Sequence, residues 1–228
     1  MRADEISVVI PVYNGALHLA ETIKTVLAQT VTPTAIIVVD DGSEDETQQV
    51  AAQFANSIRY VQQAHGGAAQ ARNLGTQYVD SEYLAFLDGD DIWIPQKLEM
   101  QLTELRGCEQ AAMIFGNFVQ FASPELTPDE AAALKFDLLP MPGIAASALL
   151  MRTRDFHAVG PFDAKLRMGE FIEWYARATD KGIVTRVLPE VVFRRRLHRG
   201  NHGRLRLEAR PDYAHALKKV LQRRRQAL

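Results

Sequence analysis

The chain has 228 residues, enough to bury one full α/β core without staples. Its 47% hydrophobic and 24% charged content is that of an ordinary globular protein and excludes disorder along the whole length. Net charge is −2, but residues 1–193 hold 14 Lys+Arg against 26 Asp+Glu while residues 194–228 hold 12 against 2, so a basic tail follows an acidic body and points to an anionic partner.

Cys108 is the only cysteine. It excludes an internal disulfide and a cysteine zinc site, and reads as a small buried apolar residue. The short polar N-terminus is not followed by a leader with a cleavage site. No apolar run reaches the ~20 residues of a membrane span. The expected location is the cytoplasm, or the inner membrane surface through the basic tail.

In chain order, Ile6 to Val12 is a β-branched, almost continuous apolar run of the kind that forms a buried parallel strand, with Pro11 as its stop. Leu19, Ile23, Val26 and Leu27 then recur at helical spacing. A second strand, Ala35 to Val39, stops at Asp40-Asp41-Gly42-Ser43, and a helix from Glu44 to Phe54 follows with acids at its start. Ile58 to Val61 is a short strand, Gly66-Gly67 a turn, Ala68 to Val79 a helix and Tyr83 to Leu87 a strand. This β-α-β-α-β rhythm predicts an α/β fold with a parallel sheet and helices on both faces. Further on, the pattern predicts helices over Pro95–Leu105, Asp129–Phe136, Glu170–Lys181 and Tyr213–Arg225. Strands are expected over Ala112–Phe121 and Ile183–Leu188, and a strand or buried segment over Gly143–Met151.

Ligands of open parallel sheets sit beyond the carboxyl ends of strands. Three polar groups fall there: Pro11-Val12-Tyr13-Asn14, Asp40-Asp41 and Asp88-Gly89-Asp90-Asp91. Three carboxylates in four residues repel one another, and a divalent cation explains their concentration. Oxygen ligands suit Mg²⁺ or Mn²⁺ bound together with substrate phosphates. The bland alternative is an acidic turn capping the next helix. An EF-hand loop is excluded by its missing pattern, and so is a dinucleotide-binding or Walker-type glycine loop after the first strand. Tyr13 offers a ring for a nucleobase, Asp40 and Asp41 offer acceptors for a base edge or ribose, and Arg72 offers charge for phosphates.

Taken together, Ser7-Val8-Val9-Ile10-Pro11-Val12-Tyr13-Asn14, Val38-Val39-Asp40-Asp41-Gly42-Ser43, Ala71-Arg72-Asn73-Leu74-Gly75 and Phe86-Leu87-Asp88-Gly89-Asp90-Asp91-Ile92-Trp93 resemble glycosyltransferase family 2. Lys97, Leu98 and Gln101 extend the likeness. The resemblance implies a GT-A type fold: a mostly parallel central sheet flanked by helices, with an acceptor-side region and a basic terminal helix. Residues 1–105 would form the nucleotide-sugar-binding half, 106–203 the acceptor-side half, and 204–228 the basic helix. It also implies a nucleotide-sugar donor and transfer with inversion. Pro11, Tyr13 and Asp41 would line the base pocket. Val12, Asn14, Asp40, Arg72, Asp88 and Gly89 would serve nucleotide or sugar. The cation, Mn²⁺ or Mg²⁺, would be held by Asp88, Asp90 and His198, the last from Arg195-Arg196-Leu197-His198-Arg199-Gly200-Asn201.

For the catalytic base, the resemblance points to Gly169-Glu170-Phe171-Ile172-Glu173-Trp174-Tyr175-Ala176-Arg177. Phe171 stands where the family most often has the basic Asp, which leaves Glu170 and Glu173, three apart on one helix face. The acceptor could be a lipid-linked glycan, a peptide or a small molecule. A nucleotidyltransferase would need a glycine-rich basic loop that Asn14-Gly15-Ala16 does not supply. A non-catalytic nucleotide-sugar-binding or scaffold member is the rival suggested by Phe171. The tail could meet an anionic membrane or an acidic partner. No aromatic residue after Tyr213 supports binding to nucleic acid.

Overall fold

The computed structural model describes residues 2–108, 110–134, 139–201 and positions 218 and 220. Apart from positions 218 and 220, which are helical, the expected helix over Tyr213–Arg225 and the rest of the basic tail lie outside the described residues, as does the end of the Asp129–Phe136 helix.

The first half alternates strand and helix: β1 (Arg2–Val12), α1 (Leu19–Leu27), β2 (Ala35–Asp40), α2 (Thr47–Ala52), β3 (Arg59–Gln62), α3 (Ala68–Thr76) and β4 (Ser81–Phe86). The second half holds β5 (Ile92–Trp93), α4 (Lys97–Gly107), β6 (Ala111–Ala122), α5 (Pro128–Ala133), β7 (Met141–Pro142), a 3₁₀ turn at Ala146–Ala148, β8 (Leu150–Arg152), α6 (Thr153–Val159), α7 (Glu170–Asp180) and β9 (Val184–Leu197). One sheet runs in the order β3-β2-β1-β4-β8-β6-β9-β5, with β7 against β6. Its first four strands are parallel. Their interiors, such as Val8, Val9, Ile10, Val38 and Val39, are fully buried because helices cover both faces. Leu19, Ile23 and Val26 put the apolar stripe of α1 into that core.

Beyond β4 the sheet turns mixed. β8 is antiparallel to β4 and to β6, whereas β9 runs parallel to β6 and antiparallel to β5. Pro11 does not stop β1, which continues in register with β2 as far as Val12 opposite Asp40. The last strand is much longer than the apolar run Ile183–Leu188. Gly116 pairs with Leu188 and Asn117 with Val191, so Pro189 and Glu190 are bulged out of the ladder. The Asn117 side-chain amide donates to the Pro189 carbonyl at 2.7 Å. The bulge absorbs the residue that cannot donate, and the strand resumes through Arg194, Arg195 and Arg196 to Leu197. Cys108, expected in the core, instead ends α4 and is partly exposed. No helix among the described residues is long and apolar enough to cross a membrane.

α3 lies unusually close to the sheet because Gly75 faces it. A Cβ at Gly75 would stand 2.3 Å from Val9 Cγ1 and 3.1 Å from Val39 Cγ2. Both valines are buried strand residues with nowhere to retreat. Gly75→Val is therefore expected to destabilise by about 1–3 kcal/mol in urea denaturation, with Val9→Ala restoring part of the loss. Wild-type stability in Gly75→Val would show that this approach does not constrain the fold.

Candidate functional site

The acidic turn after β4 is fastened from two sides. The Leu87 amide donates to the Val9 carbonyl at 3.1 Å, and the Gly89 amide to the Pro11 carbonyl at 3.2 Å. From α1, the buried Thr22 hydroxyl reaches the Gly89 carbonyl at 3.1 Å and the Asp91 carbonyl at 2.9 Å. Gly89 is required by proximity rather than by an unusual backbone angle. A Cβ there would lie 3.1 Å from both the Pro11 carbonyl oxygen and Val12 Cβ.

Each carboxylate of the turn has its own partner. Asp88 Oδ1 accepts from Arg72 Nη2 at 2.6 Å, and Arg72 Nη1 donates to Glu170 Oε1, also at 2.6 Å. One arginine, buried between strand end and helix start, thereby joins the acidic turn to α7. Burial alone would lower the Arg72 pKa, but the two carboxylates outweigh it and hold the guanidinium firmly charged. Asp90 Oδ2 lies 2.8 Å from His198 Nε2, with Asn201 Nδ2 at 3.4 Å. The Gly200 amide donates to His198 Nδ1 at 3.1 Å, which assigns any proton on the neutral ring to Nε2, facing Asp90. Desolvation pushes the Asp90 pKa up, yet the imidazole hydrogen bond and charge win and hold it below the usual carboxylate range.

Asp91 is engaged wholly inside the protein. Its Oδ1 accepts from the Arg196 amide at 3.1 Å and its Oδ2 from the Ser147 hydroxyl at 2.8 Å. Burial first, then the charges of Asp90 and Asp88, raise its pKa well above the usual carboxylate range. Arg196, 2% exposed, donates from Nε to the Asp90 carbonyl at 2.9 Å and pairs with Glu21 at 2.5 Å. The arginine bolts the end of β9 to the turn and to α1.

The expected base-binding residues form a wall beside this turn. Asp40 is fully buried; its Oδ1 accepts from the Ser43 amide at 2.7 Å and its Oδ2 from the Tyr60 hydroxyl. Asp41 accepts from the amides of Gly66 and Gly67 at 2.8 and 2.7 Å and from Gln63 Nε2 at 2.6 Å. Both carboxylates are thus engaged in shaping loops. The Tyr13 ring stacks on His65 at 4.1 Å between centroids. Asn14 joins the same wall, its amide donating to Ser43 Oγ and its side-chain oxygen accepting from the Glu44 amide, each at 2.8 Å. Lys97 and Gln101 are structural: Lys97 Nζ donates to Gln101 Oε1 at 2.7 Å and lies 4.0 Å from the centre of the Trp93 ring, sealed in the core.

At α7 the two candidate bases part company. Glu170 opens the helix and faces Arg72. Glu173 is buried and takes Arg177 Nε on both oxygens, at 3.1 and 3.0 Å, while the same arginine donates to the carbonyls of Val159 and Pro161. Helical spacing put the two acids on one face, but their side chains serve different neighbours. Phe171 is packed among Phe115, Phe162 and Trp174. An apolar ring therefore fills the position where the resemblance led one to expect an acid.

Two residues beside the turn were not singled out by the sequence. His18, just before α1, is 6% exposed, and its ring meets that of His198 edge-on at 4.7 Å. His18 Nε2 is 3.6 Å from Glu125 Oε1. Burial, then the charge of Arg196, lowers the His18 pKa. His18 was hidden in an apolar helix pattern and Glu125 in an insertion without periodicity. The polar residue His18 at the mouth of an apolar stripe was the one available signal.

Comparison with known proteins agrees with this architecture. The sequence profile of glycosyl transferase family 2 matches residues 7–132. The chain is 36% identical over 176 residues to the uncharacterized glycosyltransferase RC0461 of Rickettsia conorii, over 71% of this chain and 29% of that protein. It is 36% identical over 115 residues to the UDP-Glc:alpha-D-GlcNAc-diphosphoundecaprenol beta-1,3-glucosyltransferase WfgD of Escherichia coli, over 50% of this chain and 45% of that one. Among solved structures it is similar to S. aureus TarS 1-349 in complex with UDP-GlcNAc, with TM-score 0.77, 16% identity and coverage of 95% of this chain and 65% of that chain. The chain spans 29% of the length of the Rickettsia conorii and Rickettsia felis relatives it matches.

Between the ordinary aspartate pKa and the raised value of Asp91, the folded state holds a proton that the unfolded chain has released, so stability is expected to fall as pH rises through that window. The depressed Asp90 gives the opposite slope at lower pH, where stability is lost as pH falls. Asp91→Asn can still accept from the Arg196 amide through its oxygen, with its NH2 donating to the Ser147 hydroxyl in a reversed bond; it removes the titrating group and should abolish the first slope in urea titrations across pH. An unchanged slope in Asp91→Asn would rule out Asp91 as its source.

Proposed function

The chain belongs to glycosyltransferase family 2, and on that footing we propose that it moves a sugar from a nucleoside-diphosphate sugar, UDP being the favoured nucleotide, to a hydroxyl acceptor with inversion and with a divalent cation. The observation that carries this reading is the Asp88–Arg72–Glu170 chain, two ion pairs of 2.6 Å through one buried arginine. With Glu173 clamped by Arg177 and Phe171 packed in the core, it brings the remaining candidate base within one guanidinium of the donor-side acidic turn.

In this reading, Pro11, Val12, Tyr13 and Asn14 form the base-side wall. Asp40 and Asp41 hold its loops, and Gly89 leaves room for the turn. Arg72 balances negative charge on the diphosphate and orients Glu170. Glu170 takes the proton from the acceptor hydroxyl as the oxygen attacks the anomeric carbon, and the nucleoside diphosphate leaves from the opposite face. The residues fit a cation, because an imidazole nitrogen and a carboxylate oxygen stand 2.8 Å apart at His198 and Asp90, with Asp88 on the same turn. Mn²⁺ or Mg²⁺ held there would neutralise charge on the departing diphosphate. WfgD's name describes a lipid-linked diphosphate acceptor, which supports an acceptor of that kind here over a peptide or small molecule. A basic tail suited to an anionic surface supports the same choice.

Thermal shifts with UDP-, GDP- and dTDP-sugars, with and without Mn²⁺, are expected to single out a UDP-sugar and to require the cation. Glu170→Gln should lower transfer by about 10²–10⁴ while leaving UDP affinity near wild type. Glu173→Gln should lower the melting temperature instead, through loss of the Arg177 clamp. Full transfer by Glu170→Gln would refute the assignment of the base. Donor binding without turnover on a broad acceptor panel would favour a non-catalytic member of the family.

A further inference from the structure

Ser147, in the 3₁₀ turn before β8, is 1% exposed and gives the acidic turn its one hydroxyl from that side. Its Oγ donates to Asp91 Oδ2 at 2.8 Å and accepts from the Asp88 amide at 3.2 Å. The other links to the turn reach different atoms. Thr22 donates to the carbonyls of Gly89 and Asp91, Arg196 to that of Asp90, and His198 and Asn201 meet the Asp90 carboxylate. The main chain of Asp88 is therefore placed by Ser147, and its carboxylate carries Arg72 and, beyond that, Glu170.

Ser147 is itself held by a ladder of three side chains. The 3₁₀ turn's own hydrogen bonds end on the carbonyls of Ala145 and Ala146, which leaves the next three carbonyls to be satisfied elsewhere. Trp93 Nε1 donates to the Ser147 carbonyl at 2.8 Å, Gln101 Nε2 to that of Ala148 at 2.7 Å, and Lys97 Nζ to that of Leu149 at 3.3 Å. Trp93, Lys97 and Gln101 are four residues apart, so they rise along one side of β5 and α4. Lys97 is fully buried, and its partners, the Gln101 oxygen, the Leu149 carbonyl and the Trp93 ring, are all neutral. Burying an amine among neutral partners costs stability, and placing the turn is what the ladder achieves in return.

We propose that Ser147 is a positioning residue for the reaction: its hydroxyl, held by the Trp93–Lys97–Gln101 ladder, sets Asp88 where Arg72 can bind it and hold Glu170 ready for the acceptor proton. This rests on the reading of Glu170 as the base, and it goes further in naming what places that base. Arg72 is a planar fork with an ion pair of 2.6 Å on each arm, so a shift at Asp88 passes to Glu170. Asp90 is fastened separately from β9, so loss of the Ser147 hydroxyl acts on the base side of the crevice and spares the Asp90 side.

The untagged full chain should be compared with Ser147→Ala, Trp93→Phe and the double variant. Amide exchange is followed by NMR, turnover as UDP release from UDP-Glc and UDP-GlcNAc with Mn²⁺, and UDP affinity by calorimetry. In Ser147→Ala the Asp88 amide should exchange about tenfold faster, while those of Leu87 and Gly89, bonded to β1, keep their protection. Its kcat should fall about 10–100-fold with the UDP Kd within about twofold of wild type. Trp93→Phe should loosen Asp88 less, and the double variant should loosen it no more than Ser147→Ala alone, because both act through one hydroxyl. Wild-type exchange at Asp88 in Ser147→Ala, or a loss of kcat matched by an equal loss of UDP affinity, would overturn the proposal. So would exchange in the double variant that exceeds that of Ser147→Ala by the full effect of Trp93→Phe. Faster Asp88 exchange in Ser147→Ala when even the wild type releases UDP from neither donor would uphold the placement of Asp88 and refute the donor reading.

Discussion

Asp88, Asp90 and Asp91 put three carboxylates on a four-residue turn, and the structure depends on keeping like charges there from driving the turn apart. Each is given a different partner from a different part of the chain: Arg72 for Asp88, His198 for Asp90, and Ser147 with the Arg196 amide for Asp91. The turn therefore acts as a junction. α3, the 3₁₀ turn at Ala146–Ala148 and the end of β9 all meet it, while Thr22 of α1 holds its backbone. A cluster that looks like a liability in isolation becomes the point at which both halves of the sheet are registered.

The division of labour among the three acids follows from depth. Asp91 is the most buried, is enclosed by hydrogen bonds, and titrates high because solvent cannot reach it. Asp90 keeps partial exposure and an imidazole partner, which holds it ionised. Asp88 is the most exposed and shares Arg72 with Glu170. The same arginine thus joins the acidic turn to the first residue of α7, so a change of charge at one of these carboxylates bears directly on the other. Arg196 plays the complementary part. With most of its donors on main-chain and structural partners, it holds the turn where the others can work.

Similar separation occurs on the wall that would meet the nucleobase. Asp40 and Asp41 are engaged with Ser43, Tyr60, Gln63 and the Gly66–Gly67 amides, so they shape the pocket from behind. What faces outward is the Tyr13–His65 ring pair. An aromatic face at the end of β1 offers stacking area without fixing which base it takes.

The sequence by itself determined the parallel half of the sheet, because strands buried on both faces must be written as continuous β-branched runs, and those runs end at the residues that line the crevice. It also determined the family, since four motifs in order are a one-dimensional signal. It could not show β9 crossing Pro189, because the bulge that accommodates the proline depends on Asn117 of another strand. Nor could it separate Glu170 from Glu173, which share a helix face but differ in whether Arg72 or Arg177 lies opposite. His18, Glu125, Asp90 and His198 are far apart along the chain, and their meeting is a property of where β6 and β9 stop and where α1 is tied down. Local pattern fixes what each segment becomes; which charges meet is decided only by packing, since electrostatic partnership depends on distance in space and not in sequence.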